Sequence, residues 1–126
     1  MMAKKSSPQP LWLKDPEADN YPAAESYLNL IYPPRKSAKF VAELRTAKGT
    51  QFKAKDIFRA SQLSLLGVSN FHVEKNQKKI KEGVALSPIL LVQDRANGKV
   101  VVADGYHRLC AVYTHDEDTW IPCKIV

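Results

Sequence analysis

Cysteine is scarce in this chain: Cys110 and Cys123 are its two thiols, with neither the spacing of a metal site nor the density of a disulfide scaffold. Reduced thiols and a cytoplasmic location are the expectation. Histidine is nearly as scarce. His72, His107 and His115 contain no pair at helical ligand spacing, and His107 and His115 lie two helical turns apart, too far for one ion. His115, Asp116 and Asp118 read as an acidic turn, so no metal site is expected. There is no apolar run long enough to cross a membrane and no apolar core of a signal peptide, which excludes a membrane partner. P-loop, dinucleotide fingerprint and nucleophile elbow are all missing, as are internal repeats.

What is present is the composition of a globular protein: 126 residues, 44% hydrophobic and 25% charged, enough for one domain with a real core. The net charge of +6 is uneven. Twelve Lys or Arg stand against three acids from Arg35 to Lys81, a local balance of +9, while Glu82 to Val126 carries four bases and six acids, or −2. Such a basic segment supports weak, sequence-independent DNA binding through residues 35–81, although solvated lysines on helix faces give the same count.

The densest signal runs from Lys99 to Ala111. Val100, Val101 and Val102 read as a buried strand, Asp104-Gly105 breaks it, and Tyr106, Leu109, Cys110 and Tyr113 follow at helical spacing. His107 and Arg108 thus fall in the first turn of a helix, whose N–H groups lack internal partners and whose dipole is positive there. That combination points to an anion site suited to phosphate. Asp104 also fits a plain helix N-cap.

The same residues resemble a known family. Asp104 to Ala111 (Asp-Gly-Tyr-His-Arg-Leu-Cys-Ala), preceded by Ser87-Pro88-Ile89-Leu90-Leu91-Val92 and followed by Ile121-Pro122, is similar to the signature of the ParB/sulfiredoxin superfamily, in its ParB-like nuclease-type form. The likeness reaches back through Ile80 to Gly83, and to Asp56-Ile57 and the series Gln62, Gly67, Val73, Lys75, covering about the last 70 residues. It implies binding of a nucleotide or its phosphates by Gly105, Tyr106, His107 and Arg108, with Lys75 and Gln62. It also implies an accessory or regulatory role in bacterial DNA partition or mobile-element biology.

Departures from the family narrow the chemistry. Sulfiredoxins carry Gly-Gly-Cys-His-Arg, and Tyr106 stands where their reactive cysteine would be, so sulfinic acid reduction is not expected. Partition proteins grip a CTP triphosphate with Gly-Glu-Arg-Arg-x-Arg-Ala; Gly105, Arg108 and Ala111 match, while Tyr106, His107 and Cys110 replace Glu, Arg and Arg. Free serine kinases use Asp-Gly-x-His-Arg, which Asp104 to Arg108 matches. That branch implies a small phosphotransferase or nucleotide hydrolase, with Asp104 accepting a proton or holding Mg²⁺ and His107 as a second catalytic candidate. The cofactor implied is a nucleoside triphosphate or diphosphate with Mg²⁺. A degenerate protein-interaction module is the third alternative, with a second copy of the chain or another protein as partner.

Taken in order, residues 1–20 read as a flexible tail in which Leu11-Trp12-Leu13 tucks against the body. Residues 21–126 read as a single ParB/sulfiredoxin-like domain, with 21–50 a helical extension and 51–126 the core. The extension is a helical hairpin. Its first helix runs from Pro22 to Tyr32 with Ala24, Tyr27, Leu28 and Ile31 inward, and Pro33-Pro34 ends it; Ser37 caps the second, which carries Phe40, Val41 and Leu44. Beyond it come a short strand and a helical turn within 52–62, a loop with Gly67 as its flexible point, and a helix from Phe71 to Lys81 stopped by Gly83. Lys75 and Lys79 share a face of that helix. Strands Ile89–Gln93 and Lys99–Ala103 form a hairpin around Asn97-Gly98, and a last strand follows the acidic turn. The expected fold class is α+β: a small mixed sheet with helices packed on it.

Overall fold

A computed structural model describes residues 9–65 and 70–126. In chain order the elements are α1 (Asn20–Leu28), α2 (Pro34–Thr46), β1 (Thr50–Lys53), α3 (Ala54–Ser61), α4 (Phe71–Glu82), β2 (Ile89–Asp94), β3 (Lys99–Asp104), α5 (Tyr106–His115) and β4 (Trp120–Ile125). The four strands make one mixed sheet in the order β1-β4-β2-β3, an α+β arrangement. β2 and β3 pair antiparallel around the turn Arg95–Asn97, β4 runs parallel to β2, and β1 closes the far edge antiparallel to β4.

Helices cover both faces of this sheet. Side chains alternate along a strand, so an uninterrupted apolar run feeds two cores at once. Leu90, Val92, Val101 and Ala103 meet Tyr21, Ala24 and Leu28 of α1 and Val41 and Leu44 of α2. Ile89, Leu91 and Val102 meet the opposite core, built by Ile57, Val73, Ile80, Leu109 and Val112 from α3, α4 and α5. Leu28 and Leu44 are fully buried, and each contributes roughly 1.5–3 kcal/mol to holding the N-terminal hairpin on the sheet. The hairpin is therefore a layer of the fold.

The expected tuck of Leu11-Trp12-Leu13 is present: Trp12 forms a parallel bridge to Leu86, with main-chain bonds from Leu13 N–H to Leu86 C=O and from Leu86 N–H to Leu11 C=O, so the chain is anchored well before Asn20. Several other expectations shift. α1 begins at Asn20 and ends at Leu28, which leaves Tyr27 and Ile31 exposed. The prolines start the next helix: Pro34 occupies the first position of α2, where a missing N–H costs nothing. Ser37 lies inside α2, buried, and caps nothing. Gly67 lies outside the described residues. Asn70 and Gly83 bound α4 as capping chemistry requires, Asn70 accepting from the N–H groups of His72 and Val73. Among the described residues no helix is long and apolar enough to cross a membrane.

Candidate functional site

Strand β3 ends at Asp104 and α5 starts at Tyr106, so Gly105 alone makes the junction. Its φ of 108° lies where side chains are rarely accommodated, and a Cβ there would come within 2.9 Å of both Arg108 and Ile89. Because glycine is the N-cap, no side chain occupies the first-turn N–H groups. Asp104 does not act as the cap. Its carboxylate accepts from Arg108 Nη2 at 2.9 Å instead, an ion pair between the end of β3 and the first turn of α5 that is largely shielded from solvent.

Arg108 also donates from Nη2 to Asn20 Oδ1 at 3.4 Å, and its Nε is buried with no partner among the described residues. Asn20 accepts in addition from the Ser87 hydroxyl, which accepts from the Glu17 N–H. This chain of bonds ties the N-terminal segment and α1 to the junction.

α4 packs across α5 and supplies the opposite wall. His72 and His107 bring their rings to 4.8 Å between centroids. One and two turns further along α4, Lys75, Asn76 and Lys79 continue the same stripe. Together with Asp104, Gly105, His107 and Arg108 they enclose a polar cleft of about 230 Å³. Lys75, Lys79 and Arg108 face one carboxylate, Asp104, there, a formal balance of +2 with the histidines left out of the count. Partial burial lowers the His107 pKa from its ordinary 6.5, and His72 and the Arg108 charge push it the same way. The arrangement offers charge-assisted donors from two helices around a helix N-terminus, the chemistry that holds phosphate.

Of the sequence-predicted residues, Asp104, Gly105, His107, Arg108 and Lys75 meet in the cleft. Tyr106 does not line it; its hydroxyl donates to the Ser64 carbonyl and its ring borders a neighbouring cavity. Gln62 stands apart as the exposed, left-handed C-cap of α3. Lys79, read from the sequence as sharing a phosphate-facing helix face with Lys75, lines the cleft too; His72 and Asn76 join it without having been singled out as ligands, although the spacing 72, 75, 76, 79 marks one helix face. Nothing local pointed to Asn20, which is 88 residues from Arg108. Both cysteines are buried, and burial raises the Cys123 thiol to about 12, far from a reactive range. Among the described residues no group of three His, Cys, Asp or Glu side chains could hold a metal ion. Comparison with protein-family models, with curated proteins and with solved structures finds no match for this chain.

Proposed function

We propose that the cleft between α4 and the β3–α5 junction binds the phosphates of a nucleotide. The convergence of Lys75, Lys79 and Arg108 on the uncapped N-terminus of α5 carries this reading. Each element alone is ordinary; cations from two helices facing one set of main-chain donors favour an anion with several oxygens. The resemblance to the ParB/sulfiredoxin superfamily adds the setting: an accessory or regulatory domain in DNA partition or mobile-element biology, with Mg²⁺ accompanying the bound polyphosphate.

A second reading is favoured by one residue. Asp104 lines the same cleft, so its carboxylate lies beside the proposed phosphates. There it would accept a hydroxyl proton or hold Mg²⁺ in a phosphotransferase or nucleotide hydrolase.

Calorimetric titration with tripolyphosphate and with nucleoside triphosphates, with and without Mg²⁺, tests both readings. The pair Lys75→Ala and Lys79→Ala weakens binding tenfold or more, because two charge-assisted contacts are lost. Wild-type affinity in that variant contradicts the anion site. Asp104→Asn separates the two readings. In a pure binding domain it tightens the anion by removing a negative charge; in an enzyme it abolishes turnover while binding persists.

A further inference from the structure

α3 is only eight residues long, and it carries the chain from the edge strand β1 back across the sheet onto β3. A helix this short roofs part of the face it crosses. Beneath it, toward the turn that joins β2 to β3, lies a hollow of about 280 Å³. The strand register explains its floor. Gln93 stands opposite Val100 and Leu91 opposite Ile125, and these lie on the α3 side because the intervening Leu90 and Val92 enter the other core. Ile57 and Ala60 of α3 form the roof, and Phe52 of β1 forms a wall.

The hollow shares no lining residue with the basic cleft, which lies at the opposite end of β3. Leu91 and Ile57 are buried at its base, whereas Phe52, Val100 and Ile125 keep partial exposure around it. A cavity of about 150 Å³ with a similar aliphatic and aromatic lining stays dry and takes up benzene, so this one has room for a ring with a short chain. Two of its residues are polar, Asp56 and Gln93, and both are exposed, which puts them at the mouth. Asp56 carries the one charge of the lining. Its neighbour Lys55 is engaged by Asp118 at 2.7 Å, and among the described residues no cation forms an ion pair with Asp56. A carboxylate in the first turn of α3 also suits the helix dipole, but the dipole leaves the apolar hollow beneath it unexplained.

We propose that the hollow beneath α3 binds a small organic cation, an amine carried on an apolar body of about one ring, with the ammonium against Asp56 and the Gln93 amide oxygen accepting a further hydrogen bond. The acid at the mouth sets the preferred sign of charge. An anion of the same shape meets repulsion there, and a neutral analogue keeps the apolar contact alone. The site is independent of the phosphate reading and stands if that reading fails.

Methyl-resolved NMR on the wild-type protein tests it, following Ile57, Leu91, Val100 and Ile125 during titration with three probes of one shape: 2-phenylethylammonium, 2-phenylethanol and phenylacetate. The ammonium shifts these methyls and binds about threefold tighter than the alcohol, the gain that an exposed ion pair supplies, and phenylacetate binds weakest. Asp56→Asn brings ammonium and alcohol to equal affinity, and Ala60→Phe fills the hollow and removes the binding of both. Melting curves establish that the two variants fold; the comparison of probes needs wild-type protein alone. Equal affinity of all three probes overturns the cation assignment, as does a preference for the ammonium that survives Asp56→Asn. Unmoved methyls at about 10 mM ammonium, the weak limit for a ligand this small, overturn the site itself, and so do shifts centred on other methyls. Loss of tripolyphosphate binding bears on the basic cleft and leaves this result untouched, so the two readings fail separately.

Discussion

At the scale of single residues, Gly105 and His107 control the junction in different ways. Gly105 holds a positive φ and stands where a Cβ would press on Arg108 and on fully buried Ile89. Gly105→Ala therefore destabilises the fold by about 1–3 kcal/mol, read from urea unfolding, because backbone strain and a steric clash coincide. His107 sets a pH dependence. Its folded pKa lies below 6.5, so the unfolded chain binds more protons as pH falls below about 7. Stability without ligand drops through that window and levels off below the folded pKa, and His107→Gln flattens the slope. Polyphosphate affinity runs the opposite way. It rises as pH falls through the same window, because a bound anion favours the imidazolium. An affinity independent of pH in the wild type, measured from pH 8 to 5.5, would contradict contact between His107 and the anion.

Among the elements, legibility followed period and punctuation. α4 was readable because a helical pattern from Phe71 runs up to Gly83, and the β2–β3 hairpin because Asn97-Gly98 sits between two apolar runs. The junction at Gly105 was readable for the same reason. What failed was the assignment of roles to polar residues that suit several. Asp104 fits a cap by type, yet it ends a strand and pairs with Arg108, since glycine already turns the chain. Ser37 also fits a cap, but Pro34 starts α2 one turn earlier and leaves the Ser37 hydroxyl buried without a partner among the described residues. Ser37→Ala accordingly leaves stability within about 0.5 kcal/mol of wild type or raises it, whereas loss of a true cap costs about 1 kcal/mol. Chemical denaturation distinguishes the two. His72 and Asn20 were hidden because their role depends on which elements pack together, and neither carries a local signal of that.

For the whole molecule, the three layers decide where charge can act. The basic residues of 35–81 are spread over α2 on one face of the sheet and α3 and α4 on the other, so they form no single surface. Lys55 is further drawn into an ion pair with Asp118 at 2.7 Å. The expectation for DNA is therefore at most weak binding, independent of sequence and lost steeply between about 50 and 200 mM salt, as counterion release requires. A selective, salt-tolerant complex with one duplex in a fluorescence titration would contradict this. The N-terminal hairpin, by contrast, is integral: it covers one sheet face and reaches the junction through Asn20 and Arg108. The central claim is that phosphate meets the chain where β3 gives way to α5. Amide chemical shifts followed by NMR during a tripolyphosphate titration test it most directly. The account predicts that Gly105, Tyr106, His107 and Arg108 move first and furthest, with His72 to Lys79 along α4. Shifts centred elsewhere, or none at millimolar ligand, would contradict it.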